Sequence, residues 1–351
     1  MKHIFYFATL LLLLGTTTNA QAQGYIKLKS GDKQITINEQ QIDEFIEKFE
    51  ERISDFAESI DTDHIELTFG DNTFAEAKIT RNDSALSNDQ GSDRFRGSGR
   101  IITETRPVPA DYHGVVASRA VKVTLDDRAG STAIIRANDN VMPFIKIEND
   151  NGILEIKIDD EIRSINNVTA EVSLPKSTRI SELKATSAAK INVEYAIESS
   201  ELDIEASSAA DIRIAKADVS ECDIELSSAA SVVASVKATE CSIEAKSAAK
   251  ANVNLLVNNC EAEASSAADI TLSGKAGTLN LEASSAADIK ATDVDVMVGT
   301  IADSSSGANI KVSAGKSLKA QASSGGTVAY KGSHDLDVHI KKSSGGSVRQ
   351  M

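Results

Sequence analysis

Apolar and polar residues alternate in short runs through the C-terminal half of the chain, and the runs repeat about every 20 residues. Each run ends in a phrase of small residues, whose fullest form, Ser-Ser-Ala-Ala-Asp-Ile, occupies residues 207–212, 265–270 and 284–289. The second position of the phrase recurs at Ser187, Ser208, Ser228, Ser247, Ser266, Ser285, Ser306, Ser324 and Ser344. A fixed period of this length is typical of a solenoid, in which each coil buries its apolar face only against its neighbours.

The alternation itself predicts the secondary structure of each coil. Residues two, four and six positions before the second Ser, and four positions after it, are apolar, whereas the odd positions are polar. This is the pattern of β-strands with one buried face, and equivalent residues of successive coils should stack about 4.8 Å apart. The Ala-Ala pair, replaced by Gly-Ala or Gly-Gly in the last three coils, predicts a corner with no room for large side chains. We therefore expect an all-β, single-chain parallel β-helix, right-handed by the usual crossover preference.

The start of the chain has the pattern of a secretory signal. In residues 1–22 a short polar start with Lys2 precedes an apolar run at residues 4–14 and a small-x-small cleavage site at residues 20–22. The apolar run is too short to anchor the protein in a bilayer, and no later stretch is apolar enough for a transmembrane segment. We expect export to the periplasm, the outer surface or the extracellular space.

Three further segments follow the signal. Residues 23–79 predict a small α+β module with two hairpins and an amphipathic helix at 39–60, whose apolar stripe either packs within the module or binds a partner or a second copy. Residues 80–99 have no periodicity and predict a flexible linker. Residues 100–351 form the β-helix domain, which begins with irregular short strands before the regular coils.

Composition narrows the function classes. Only 4% of the residues are aromatic and none is Trp, so the core must be built from small aliphatic side chains. The formal net charge of −15 argues against a nucleic-acid partner, because phosphate binding needs a positive surface, and it is compatible with cation binding.

Catalytic motifs are absent from the sequence. It contains no Gly-x-Ser-x-Gly elbow, no His-Glu-x-x-His, no phosphate-binding glycine loop and no Cys-x-x-Cys pair. Paired carboxylates would suffice for glycoside hydrolysis, but here the acidic residues recur as a column rather than as one distinct pair. We therefore expect no enzyme and no obligatory cofactor.

The acidic column is the candidate metal site. It lies three positions before the second Ser, at an outward-facing offset, and consists of Glu205, Glu225, Glu244, Glu263 and Glu282, followed by Asp303. Like charges stacked this closely repel each other. Either water, salt and nearby Lys screen the column, or Ca²⁺ bridges its carboxylates, since oxygen ligands suit this ion.

A second column contains the three cysteines. Cys222, Cys241 and Cys260 occupy one inward-facing offset of three consecutive coils, and Leu202 and Leu279 occupy it in the flanking coils. Three thiols cannot all pair, and Leu serves the same position. We expect three buried free thiols that act as small apolar side chains.

Several phrases resemble a known family. They are Tyr-His-Gly-Val at residues 112–115, Ala-Asn-Asp-Asn-Val at 137–141, Leu-Glu-Ile at 154–156 and the Ser-Ser-Ala-Ala or Ser-Ser-Gly-Gly coils. Over residues 101–348 the chain resembles the putative auto-transporter adhesin head GIN domain family of exported bacterial β-helix proteins, which are common in the Bacteroidetes. The resemblance implies a non-enzymatic binding or adhesin-like protein of the cell envelope, with a surface glycan or protein as partner. The alternatives are a structural protein that assembles end to end through its coil edges, or a polysaccharide-active enzyme.

Overall fold

A computed structural model of the chain describes residues 95–162 and 165–351 with their side chains, and four earlier strands by their backbone. The chain splits into two compact units, Met1–Gln90 and Gly91–Met351. The predicted signal at 1–22, the helix at 39–60 and most of the linker at 80–99 lie outside the described residues. No helix in the described part of the chain is long and apolar enough to cross a bilayer.

The first unit contains one antiparallel sheet. Its strands are β1 (Tyr25–Ser30), β2 (Lys33–Asn38), β3 (His64–Phe69) and β4 (Asn72–Lys78), in the order β2-β1-β3-β4. Both predicted hairpins are present, and β1 pairs with β3 to join them. The described part of this unit is therefore all-β, and the α+β class predicted for it is not supported.

The second unit is a solenoid whose strands form two parallel rows. Row A contains β7 (Gly114–Ala117), β14 (Glu182–Ala185), β16 (Glu201–Ala206), β18 (Glu221–Leu226), the C-terminal parts of β19 (Ser231–Ala245), β20 (Lys250–Ala264), β21 (Asp269–Ala283) and β22 (Asp288–Ser304), and then β24 (Ser317–Ala322) and β26 (Asp337–Lys342). Row B contains β8 (Lys122–Leu125), β15 (Lys190–Glu198), β17 (Asp211–Asp218), the N-terminal parts of β19 to β22, and then β23 (Asn309–Ser313), β25 (Thr327–Lys331) and β27 (Ser347–Gln350). The parallel β-helix predicted from the repeats is confirmed; its hand stays a prediction.

The N-terminal end of the solenoid departs from simple coil order. Strands β11 (Ile153–Ile158) and β13 (Ala170–Leu174) pair with the outer edges of β7 and β8. The first coil, formed by β7 and β8, therefore lies between β11 and β13 on one side and β14 and β15 on the other. Three antiparallel strands cover this end: β10 (Ile145–Asp150) on β11, β9 (Thr132–Asn138) on β13, and β6 (Ile101–Pro107) on β9. A 3-10 turn at Met142–Phe144 precedes β10, and β5 (Phe95–Arg96) pairs with β12 (Ile165–Asn166).

The core consists of columns of small apolar side chains. Each column contains the residues that occupy the same inward-facing position in successive coils. Ile204, Ile224 and Ile243 stack in register in row A, and each is 1% exposed. Ile212 and Ile270 occupy equivalent positions in row B and are equally buried. The alternation in the sequence therefore predicts correctly which side chains form the core.

The corner between the rows is a left-handed turn. Ser208 and Ala209 have φ values of 54° and 61°, and the Ala210 N–H donates to the Ser207 carbonyl at 3.2 Å, which makes a type I′ turn. The Ala209 N–H donates across the coils to the Ser228 carbonyl at 2.9 Å. The same geometry recurs in every regular coil.

Lack of space explains why a small residue is needed at the fourth position of the corner phrase, but not at the third. A Cβ on Gly326 would lie 2.3 Å from the Ser304 carbonyl oxygen, so backbone does approach backbone there. At Gly325 a Cβ would meet nothing within 4 Å, and φ is +77°. At the third position of the phrase the left-handed backbone favours Gly, and the predicted crowding is wrong.

Charge placed at an inward position should destabilise the solenoid. We expect Ile212→Asp or Ile270→Asp to lower the free energy of unfolding by several kcal/mol, because each puts an unpaired carboxylate in a dry core. Thermal and urea unfolding would measure the loss. The matched control is Thr271→Asp, one residue along the same strand and facing outward, and equal melting of all three variants would contradict the inward assignment.

Candidate functional site

The acidic column forms along row A as predicted. Glu205 pairs with Glu225 on the neighbouring strand, and the register then runs through Glu244, Glu263 and Glu282 to Asp303. The shared corner produces this stacking, because residues close before the second Ser of one coil lie beside the same positions of the next, while bulges elsewhere in the coils absorb differences in repeat length.

Neighbouring carboxylates perturb one another on this face. Burial, together with the charges of Glu263 and Asp303, raises the pKa of Glu282. Burial and the charges of Glu221 and Asp203 likewise raise the pKa of Asp223, which lies two positions before Glu225 on the same face. The folded state therefore holds these carboxylates under mutual repulsion.

Two lysines and one side-chain amide partly offset the negative charge of the acidic column. Lys184 occupies the same offset one coil earlier and forms an ion pair with Glu205. Lys246 forms an ion pair with Glu244, and this contact raises the pKa of the lysine. At the other end the Gln321 amide donates to Asp303 at 2.9 Å. Glu225, Glu263 and Glu282 form no ion pair within the described residues.

The geometry bears on the calcium hypothesis. Across the described residues, no three His, Cys, Asp or Glu side chains converge as the ligands of one metal ion. Any Ca²⁺ bound to the column would therefore bridge the carboxylates of two neighbouring strands and take its other ligands from water. The role of Glu205, Glu225, Glu244, Glu263 and Glu282 in metal binding stays a prediction.

Row B carries a groove that the sequence analysis did not identify. It is a shallow concavity of about 630 Å³ that extends across β19 to β23 beside the corner. Its polar lining consists of Ser231, Lys250, Asn252, Asp269, Thr271, Asp288, Lys290, Asn309 and Lys311. These residues lie three and five positions after the second Ser, so their shared offsets were the signal available in the sequence.

Several groove side chains keep their hydrogen-bonding capacity. Lys250 and Asp269 form an ion pair at 3.5 Å across neighbouring strands. Within the described residues, Asn252, Thr271 and Asn309 form no side-chain hydrogen bond. The groove can therefore donate and accept hydrogen bonds at several points along the solenoid axis, in a surface of mixed charge.

The cysteine column is also present. Cys222 pairs in register with Cys241, and Cys241 with Cys260; all three are buried and free. The hydrogen bond to Cys241, followed by burial, raises the pKa of Cys222, and the same two causes raise that of Cys260. These two thiols stay protonated at neutral pH and pack as apolar groups.

A buried polar cluster near the first coil serves the fold. The Tyr112 hydroxyl donates to the Pro175 carbonyl at 2.5 Å, and the Ser177 hydroxyl donates to the Tyr112 carbonyl. The Ser177 N–H donates to the Tyr195 hydroxyl at 3.3 Å. Burial raises the pKa of both tyrosines, so neither phenol is an ionised nucleophile. The cluster fixes the loop before β14 to the first coil.

These features define an elongated β-solenoid whose outer faces carry ladders of polar and acidic groups. The profile of the family described as putative auto-transporter adhesin, head GIN domain, matches residues 111–254 and again 223–333. The chain belongs to this family, as its coil phrases indicate. No curated protein sequence matches the chain.

Solved structures share the fold. A putative adhesin from Parabacteroides distasonis is 18% identical with a TM-score of 0.54, and covers 73% of this chain and 99% of its own. A putative adhesin from Parabacteroides merdae is 19% identical with a TM-score of 0.50, and covers 74% and 100%. A putative lipid binding protein from Parabacteroides distasonis is 13% identical with a TM-score of 0.52, and covers 74% and 99%. At these identities the likeness concerns the fold alone.

The thiol column gives a direct chemical prediction. Thiol titration of the purified protein, denatured without reductant, should count three free thiols per chain, because no pair is oxidised in the core. A second titration after reduction gives the matched total. A count of one before reduction would show that a disulfide bridges two coils, which the spacing of neighbouring strands allows.

The acidic column predicts a specific response to Ca²⁺. Monovalent salt at 0.1 M screens the repulsion between carboxylates over about 10 Å. A Ca²⁺ ion bound between the carboxylates of two neighbouring strands would also stabilise the fold by mass action. Millimolar Ca²⁺ should therefore raise the melting temperature more than NaCl of equal ionic strength does.

Charge removal provides the control for this prediction. The combination Glu225→Gln, Glu244→Gln and Glu263→Gln should raise the melting temperature in plain buffer and abolish the Ca²⁺ increment. The combination Asp288→Asn and Asp295→Asn, elsewhere on the solenoid, should keep that increment. If NaCl reproduces the whole effect of Ca²⁺, the column is a solvated face and no metal site.

Proposed function

We propose that this protein is an exported, non-enzymatic binding protein of the cell envelope, which holds a surface glycan or protein in the groove of row B. The family description supports a binding role, and the signal-like residues 1–22 support export. The observation that carries the proposal is the set of groove side chains that form no side-chain hydrogen bond with any other described residue, Asn252, Thr271 and Asn309.

The chemistry of the groove favours a polar ligand. The lining combines Lys250, Lys290 and Lys311 with Asp269 and Asp288, so no strong field of one sign attracts a highly charged molecule. Amide and hydroxyl groups between these charges can hydrogen-bond to the hydroxyls of a glycan or to the backbone of a peptide. The groove has no aromatic ring in its lining, so hydrogen bonds rather than stacking must supply most of the affinity.

The repetition of similar groups along the groove can increase its affinity for a long ligand. Neighbouring strands of a sheet lie about 4.8 Å apart, so the groove offers similar groups at regular intervals along the solenoid axis. A polymeric ligand with its own repeat can occupy several coils at once, and linked weak contacts then add up to useful avidity. The acidic face of row A on the opposite side would repel anionic polymers and so direct them away from that face.

Arrays of soluble glycans and envelope proteins, probed with the mature chain, test this proposal. We expect a retained polar ligand whose affinity falls roughly tenfold or more in the double variant Asn252→Ala/Thr271→Ala, since each lost hydrogen bond is worth about 1 kcal/mol. The matched control Thr239→Ala/Ser242→Ala removes two exposed hydroxyls outside the groove and should bind normally. Equal affinity in both variants would place the ligand elsewhere, and release of cleaved sugar would show an enzyme.

A further inference from the structure

The two ends of the solenoid differ in how they are covered. The N-terminal end carries the antiparallel strands β6, β9 and β10. In the C-terminal coil, β26 pairs only with β24 and β27 only with β25 within the described solenoid. The outer backbone N–H and C=O groups of this coil are therefore free to pair with another strand.

The core is also exposed at this end. Ile340 lies in the same inward column as Ala320 and Ala302, which are 1% and 0% exposed. Ile340 itself is 46% exposed, because within the described residues no coil lies on its outer side. Val338, two residues earlier, is only partly buried. The terminal coil thus presents a sheet edge and an apolar cross-section together.

The residues of β26 complement a second copy of themselves. In an antiparallel pair centred on His339, the inward Val338 lies opposite the inward Ile340 of the other copy, and the outward Asp337 lies opposite Lys341. Directly opposite residues of an antiparallel pair share one face, so the apolar pairs meet on the core side and the charged pairs on the solvent side. Two-fold symmetry makes each of these contacts twice.

We propose that two copies of this chain join through their C-terminal coils into a two-fold symmetric dimer, with β26 paired antiparallel to β26 of the second copy about His339. The dimer joins the two apolar cores and covers Ile340. The proposal goes beyond the proposed function, since it concerns an interface separate from ligand binding.

A closed dimer fits better than an open stack of coils. Head-to-tail stacking would need an open parallel edge at the N-terminal end, but β10 and β9 already run antiparallel along β11 and β13 and occupy those edges. An interface that each copy uses once, on the same patch, closes at two copies and does not grow into a fibre.

Charge exchange tests the proposed register in the full mature chain. Light scattering over micromolar concentrations should show a dimer for the parent. Asp337→Lys alone, or Lys341→Asp alone, places like charges opposite each other and should give monomers. The double variant Asp337→Lys/Lys341→Asp restores opposite charges and should restore the dimer, while Lys275→Asp, at a distance from this end, should leave it unchanged.

A cross-link tests the axis independently. His339→Cys should place two Cα atoms about 4.5–5.5 Å apart, within the range for a disulfide. Oxidised glutathione should then convert the two thiols into an intermolecular disulfide, releasing reduced glutathione, and give a dimer band on a non-reducing gel. Lys275→Cys is the matched control and should stay monomeric on the gel.

Three results would overturn the proposal. They are a parent that stays monomeric with no cross-link at position 339, assemblies that grow beyond dimers with concentration, and a dimer that survives both single charge variants. Circular dichroism of every variant separates loss of the interface from loss of the fold. Failure of ligand binding in the groove leaves each of these readouts unaffected, so the two proposals are tested separately.

Discussion

The hydrogen bond between the corners of successive coils is the contact on which the solenoid depends. The Ala209 N–H donates to the Ser228 carbonyl, and equivalent bonds of 2.9–3.2 Å follow along the corner to Gly325 and Ser344. Each requires two consecutive left-handed residues, which cost roughly 1–2 kcal/mol per L-residue. The turn sets the register of both flanking strands, so the cost is offset by the core that this register buries. Small side chains at the corner follow from that backbone.

Coils that stack in register place outward residues of one offset side by side, so that they form a ladder along the solenoid. A Glu at one offset gives the repelling column of row A, and Asn, Thr and Lys at others give the polar groove of row B. The acidic face therefore limits what the solenoid can approach, while the groove on the other face stays available. Function in such a fold is a property of an offset shared by several coils rather than of a single residue.

Features that depend on regular stacking could be predicted from the sequence, whereas features that depend on irregular pairing or on several coils together could not. The inward positions of Ile204 and Ile224 and the stacking of Glu205 on Glu225 were predictable, because strand alternation and a constant period determine them. The position of β11 outside β7 was not, since short strands with similar patterns do not reveal a partner out of chain order. The groove was missed because its residues belong to several coils and gain meaning only when stacked.

The sandwiched first coil has a consequence for the order of assembly. Gly114 pairs with Ile153 on one side and with Glu182 on the other, so strand β7 must wait for two much later segments of the chain. Later coils need only the coil before them, a separation of about 20 residues, and loop closure becomes slower as contacts become less local. We therefore expect formation of the covered N-terminal end to be the slow step of folding, and each later coil to form on the coil before it.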